Sequence, residues 1–289
     1  MDAAPYNVDR CKVVILVGDR DFGRCPLASR FNRALWPVFG RPALQVVLEQ
    51  LADQGLRRVV ISCASESETI RQSIHRPSEL DMEFQEKTLP RGPAGCIRDA
   101  ACPEDEHLLV LAGNVLVLPG IQDLLRQHLA AHADMTVYLN PPDERPSSQP
   151  VDSQIYLCEP AILDCIPETG YFDLKEGFVP AGLQAGLTIR AAALPQDTRH
   201  YRNWIDYLTN VNRLLSDPKK PPHLLSGYSR LNNHSDVWAG ADVKISPKAR
   251  FYGPVIIGPH STITDDVMIF GPACIGDNTV VEESILMGA

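Results

Sequence analysis

Between Ile245 and Met287 every sixth residue is large and apolar: Ile245, Phe251, Ile257, Ile263, Ile269, Ile275, Val281 and Met287. An α-helix repeats about every 3.6 residues and a strand every two, so neither sustains a strict period of six. Four places after these residues stand Ala249, Val255, Ser261, Val267, Ala273 and Thr279, all small or β-branched, and IG, FG and GP pairs mark corners. Such hexapeptide repetition is the mark of a parallel β-helix, whose inward aliphatic residues stack on their equivalents in the next coil. At three hexads per coil the segment makes between two and three coils. An end left open at Met287 is expected either to continue in a longer chain or to meet another subunit.

Upstream the grammar is different. From Lys12, short β-type runs alternate with helical stretches: KVVILV, a helix from Pro42, RRVVISC, then a helix around Glu66 to His75. RPALQVVLEQLADQG puts Leu44, Val47, Leu48 and Leu51 on one face, with proline at its first turn and Gly55 at its stop. MEFQE, HLLVLAG, MTVYL and QIYLCE read as further strands, with helices near Gly95 to Ala101 and Ile121 to Ala131. The expected class is α/β, a mostly parallel sheet covered on both faces. DTRHYRNWIDYLTNVNRLLSD supplies a closing helix with Ile205, Leu208 and Val211 on one side, continued by Leu214 and Leu215. PKKPP then breaks the chain. The expected division is a domain over 1–220, a linker over 221–240 and the coil over 241–289.

The chain's 289 residues, 44% of them hydrophobic, suffice for a sizeable core. A formal charge of -9 with no Lys/Arg block argues against a nucleic-acid partner. No apolar stretch approaches the length of a membrane span, and MDAAPYNVDR has no apolar leader, so a cytoplasmic location and no membrane partner are expected. The eight cysteines form no CxxC pair and read as small hydrophobes in a reduced compartment, not as zinc ligands. His107, His128 and His132 show no spacing to a partner carboxylate and read as structural or solvated. His260 reads as a corner residue of the coil, which is too short for acyl transfer.

The order of these parts resembles the sugar-phosphate nucleotidyltransferase family, the NDP-sugar pyrophosphorylases, and among them the mannose-1-phosphate guanylyltransferase-like branch. KVVILVG is similar to the family's first strand, and LWPVFGRPALQVVLEQLADQGLRRVVI to its PxxGxP motif, following helix and second strand. RGPAGCIRDA resembles the nucleotide loop written LGTAGAL in the family, and LLVLAGNVL the strand that ends in a metal-binding aspartate. QIYLCEPAILDCIP and FDLKEGFVPAGLQAG are similar to segments flanking the sugar pocket, and WIDYLTNVNRLL to the helix that closes the domain. The resemblance implies a Rossmann-like, GT-A-like nucleotidyltransferase domain followed by a left-handed β-helix. It also implies a reaction: a sugar-1-phosphate oxygen attacks the α-phosphate of a nucleoside triphosphate and pyrophosphate leaves, with Mg2+ neutralising the phosphates.

Against the family's GGxGTRLxPL, the stretch LVGDRDFGRCPL keeps Gly18, Pro26 and Leu27 but has Asp19 and Asp21 in place of glycines. A carboxylate about 4 Å from a triphosphate costs several kcal/mol even at a surface-like dielectric. The catalytic arginine falls on Gly23, with Arg24 one residue late, and the motif's lysine falls on Arg33. The two metal-binding acids fall on Asn114 and Asn203. The resemblance thus assigns Arg24 and Arg33 to catalysis, Leu16, Gly18, Arg91, Gly92 and Gly95 to the nucleotide, and Asn114 and Asn203 to the metal. Arg24 and Arg33 read more readily as surface arginines paired with Asp19, Asp21 or Asp53, and Arg91, Gly92 and Gly95 equally well as a plain loop before a helix. Only NPPDERPSSQPVDS connects MTVYL to QIYLCE, where the family has a strand pair and a VEKP-like segment. Two readings follow. One is a catalytically impaired, regulatory or scaffolding relative that binds nucleotide or NDP-sugar and oligomerises through the coil, with itself or with a catalytic homologue. The other is an active transferase that uses Mg2+ to form an NDP-sugar such as GDP-mannose.

Overall fold

A computed structural model describes residues 8–18, 29–86, 91–140, 151–194, 198–217, 222–232 and 236–287. They fall into two compact units, one running to Leu35 and from Ala43 to His200, the other comprising Trp36–Pro42 and the chain from Tyr201 onward.

The first unit is built on strands β1 (Cys11–Val17), β2 (Arg58–Cys63), β3 (Asp81–Glu86), β4 (His107–Ala112), β5 (Val115–Val117), β6 (Met135–Asn140), β7 (Val151–Cys158) and β8 (Ile189–Ala193). All but β5 join one sheet in the order β8-β6-β7-β4-β1-β2-β3. β1 lies between β2 and β4 and is parallel to both, whereas β7 runs antiparallel to β4 and β6. A strand covered on both faces has no polar side, and β1 accordingly reads CKVVILV with six of its seven residues buried. Val13, Ile15, Leu109 and Leu111 enter one core layer with α1 (Ala43–Asp53), whose Leu44, Val47, Leu48 and Leu51 all reach it. α2 (Ser67–Ser73) adds Ile70 to that layer. Val14, Leu108 and Val110 enter the other layer with Ala94 and Ile97 of α3 (Gly92–Ala100). The mostly parallel α/β sheet expected from the sequence is therefore present.

One buried amide ties elements of this unit together. Gln50 is buried in α1, where its Nε2 donates to Leu116 O at 2.9 Å and its Oε1 accepts from Leu118 N–H at 2.9 Å. These bonds tie the helix to β5 and satisfy backbone that leaves the sheet. Among the described cysteines none is bridged, and Cys11, Cys63 and Cys158 are buried. Burial pushes the Cys11 and Cys63 thiols up to about 12, as expected for inert small hydrophobes. No helix among the described residues is long and apolar enough to cross a membrane.

In the second unit Trp36 stacks on Tyr201 at 5.4 Å and meets the edge of Tyr207 at 5.1 Å. Tyr207 belongs to the last helix, Trp204–Ser216, and its hydroxyl donates to Pro37 O. That anchor sets the helix's rotation. Tyr207, Leu214 and Leu215 are buried, while Ile205 and Leu208, expected together on one side, are 57% and 46% exposed.

The C-terminal strands pair in parallel with partners eighteen residues on, Val237 with Val255 and Val255 with Ala273, an arrangement consistent with a parallel β-helix. Ile257, Ile263, Ile269 and Ile275 share one apolar cluster with Ala249, Val255, Val267 and Ala273. Ser261, also buried, donates through Oγ to Gly276 O at 2.9 Å and accepts from Thr279 N–H at 3.0 Å. The hexad count fails at its last step. Ile269 pairs with Leu286, one residue early, so Leu286 packs inward and Met287 is 75% exposed. The corner Glu282–Ser284 is one residue shorter than its counterpart one coil earlier, from Thr264 to Val267.

Candidate functional site

The carboxyl ends of β1 and β4 open onto a groove of about 420 Å³, where ligands gather on open α/β sheets. Leu16–Gly18 and Ala112–Asn114 form its floor, and Asn32–Ala34, Gln154 and Lys175 line its walls. Buried Asn32 fixes the first wall: its Nδ2 donates to Gly18 O at 2.8 Å and its Oδ1 accepts from Ala34 N–H at 3.1 Å. Gly113 N–H donates to Leu16 O at 2.9 Å, holding the two strand ends together.

On the β7 side, Asp152 accepts from Tyr156 Oη at 2.5 Å and from Gln154 N–H at 2.8 Å, and it pairs with Lys175 Nζ at 2.9 Å. Burial, then the hydrogen bond to Asp152, pushes the Tyr156 phenol well above its ordinary value, so it stays a neutral donor. Asp173 Oδ1 accepts from the N–H groups of Lys175 and Glu176 at 2.7 and 2.9 Å, capping the turn that presents Lys175. Arg33 and Lys175 are the groove's cations among the described residues.

Of the residues singled out in the sequence, Leu16, Gly18, Arg33 and Asn114 are brought together in this groove. Arg24, with Asp19, Asp21 and Gly23, lies outside the described residues, as does most of the connection from β6 to β7. Arg91 is engaged elsewhere: its guanidinium grips both oxygens of Asp99 at 3.2 Å and donates to Pro167 O at 3.2 Å. Gly92 has φ of +71°, and a Cβ there would fall 2.5 Å from Phe172 O. Ala94 N–H donates to that same carbonyl at 3.2 Å, so a chain segment takes an amide at the start of α3. Gly95 leaves room for the Arg91 side chain. Asn203 is in the second unit, where its Oδ1 accepts from Asp206 N–H at 2.9 Å as the cap of the last helix.

Magnesium takes hard oxygen ligands, chiefly carboxylates and waters. Asn114 offers a neutral amide, Asn203 spends its oxygen on a cap, and the nearby carboxylates Asp152 and Asp173 are engaged by Tyr156, Lys175 and backbone N–H groups. The described groove residues do not fit that ion. Sequence reasoning placed FDLKEGF beside the site but did not single out Lys175, Asp152 or Tyr156. The run of Asp173, Lys175 and Glu176 at a helix start was the available signal.

A second polar cluster gives two of the three histidines, His107 and His128, a carboxylate partner that sequence spacing did not show. His107 Nδ1 and His128 Nε2 both contact Glu159 Oε1, at 2.8 and 2.9 Å. Burial would raise the Glu159 carboxyl, but the hydrogen bonds and charge of the two imidazoles outweigh it and hold it down to about 2. Sequence separation hid the cluster, since the sheet brings residues 107 and 159 together across antiparallel β4 and β7.

Residues 12–149 match the family model described as nucleotidyl transferase. The chain is 24% identical over 135 residues to a D-glycero-alpha-D-manno-heptose 1-phosphate guanylyltransferase from Aneurinibacillus thermoaerophilus, an alignment covering 46% of this chain and 59% of that protein. The chain thus spans about three fifths of that curated relative's length. Among solved structures, HddC from Yersinia pseudotuberculosis superposes with a TM-score of 0.58 at 18% identity, over 70% of this chain and 98% of that one. A second HddC structure, in complex with GMP-PN, gives the same TM-score and identity. At this identity the likeness concerns the fold.

Proposed function

Taking residues 12–149 as a nucleotidyl transferase domain of the sugar-phosphate nucleotidyltransferase family, we propose that the groove binds a guanosine nucleotide or GDP-sugar and transfers the nucleotidyl group poorly. The carrying observation is Asn114. It stands on the groove at the end of β4, where the family resemblance calls for a metal-binding aspartate. Transfer brings two polyanions together, so it needs more positive charge than binding one of them. Arg33 and Lys175 support binding, and the engaged state of Asp152 and Asp173 leaves little to recruit a divalent ion. The guanine preference rests on the curated relative's guanylyltransferase name and the neighbour's GMP-PN complex.

In this reading the protein is a regulatory or scaffolding subunit, assembling with itself or with a catalytic homologue through the coil. Exposed Val280 and Ile285 on the coil support that surface. The test pairs a thermal-shift screen against GTP, GDP and GDP-mannose with a pyrophosphate-release assay over a panel of triphosphates and sugar-1-phosphates. Stabilisation by a guanosine nucleotide without pyrophosphate release is expected. Pyrophosphate release from any pair would replace this reading with an active transferase, and the absence of any thermal shift would remove the ligand.

A further inference from the structure

We propose that His107, His128 and Glu159 form a binding site for a zinc-class divalent transition metal ion, at the end of β4 remote from the groove. Their donor atoms all lie within 4.8 Å of one another. His107 opens β4, His128 sits in the last turn of α4 (Ile121–Ala130), and Glu159 directly follows β7. Three elements thus converge on one carboxylate oxygen, at 2.8 and 2.9 Å from the two ring nitrogens. Tetrahedral zinc, with bonds near 2.0–2.1 Å, sets its donors about 3.3 Å apart, so opening these contacts by about 0.5 Å admits the ion.

The surroundings favour coordination. His128 is fully buried, and its remote Nδ1 meets Thr136 Oγ1 at 2.8 Å, the kind of outer contact that orients a ligating imidazole. The side chains of His107 and Glu159 keep 14% and 29% exposure, so the cluster is reached by solvent, from which a water would come as fourth ligand. Two imidazoles with one carboxylate suit zinc and not magnesium. The site is separate from the groove by the length of β4, about 17 Å at about 3.3 Å per residue. A bound ion there acts as a structural clip between β4, α4 and the exit of β7. None of the cysteines that dominate a sequence-level search for zinc takes part.

The whole chain, stripped with a chelator, is titrated with Zn2+ and in parallel with Co2+. Uptake of one zinc per chain by elemental analysis, a raised Tm, and a tetrahedral cobalt spectrum without thiolate charge transfer are expected. His107→Gln and Glu159→Gln should each weaken zinc binding more than about 100-fold, and Thr136→Val about tenfold. Uptake well below one zinc per chain would overturn the site, as would affinity unchanged in both ligand variants. So would a thiolate-dominated cobalt spectrum, which would place the ion on cysteines. If a variant fails to fold, the stoichiometry and cobalt spectrum of the unmodified chain still decide.

Discussion

The coil and the groove are both made where short apolar strands end, yet they place opposite demands on the chain. In the coil most inward residues pair with an apolar residue eighteen positions on, as Ile245 with Ile263 and Ile257 with Ile275, so one rule of composition fixes residue after residue. In the groove Gly18, Arg33, Asn114, Gln154 and Lys175 come from five separate segments, and no rule relates them. Repetition makes the coil tolerant of reading but intolerant of change, since most inward positions are core. The groove has the reverse character: its backbone frame is held by bonds such as Asn32 Nδ2 to Gly18 O, while each of its charged side chains is placed separately.

The largest effect that would break this contrast is in the coil. Ile269→Ala removes a fully buried side chain stacked between neighbours above and below, and should cost ~2–5 kcal/mol, read from the shift in urea midpoint. A loss below about 1 kcal/mol would mean that the coil collapses around the gap and is not closely packed. Gly92→Ala, next to the groove-lining Pro93, should cost about 1–3 kcal/mol, because a side chain there meets both positive φ and the Phe172 carbonyl. An unchanged midpoint would show that the Phe172 segment yields easily.

Gly92 also shows the limit of reading the sequence. Its position in RGPAGCIRDA was legible as a glycine the family uses near a nucleotide, but the atom that demands it here is a backbone oxygen eighty residues away. The sheet itself was legible, since CKVVILV and HLLVLAG are apolar runs of strand length, rich in branched residues and without a polar side. The antiparallel β7 in its interior was not, because strand direction leaves no trace in an apolar run. The association of Trp36 with Tyr201 and Tyr207 was equally hidden, and with it the rotation of the last helix. Asn203 illustrates a local competition: a residue that the sequence resemblance assigned to a metal is also a strong helix cap, and the backbone takes its oxygen.

A smaller effect sharpens the electrostatic side of the comparison. Asn114→Asp adds one hard ligand at the groove floor, and should strengthen Mg2+-dependent guanosine nucleotide binding by about tenfold in calorimetric titrations with and without the ion. Without magnesium the same change adds a like charge beside the phosphates and should weaken binding. Equal affinities for the two proteins under both conditions would mean that this position does not face the phosphates.

The smallest effect tests the coil's one departure from its period. Counting by six makes Met287 the inward residue, but the short corner Glu282–Ser284, with Glu283 at φ 41°, moves Leu286 into register with Ile269. Leu286 is only partly buried, so Leu286→Ala should cost about 1 kcal/mol, and Met287→Ala, at a position 75% exposed, less than about 0.5 kcal/mol. A double-mutant comparison with Ile269→Ala should show coupling for Leu286 and none for Met287, because only the first touches the inward stack. The reverse order would restore the strict hexad and show that the corner, not the apolar stack, is what gives way.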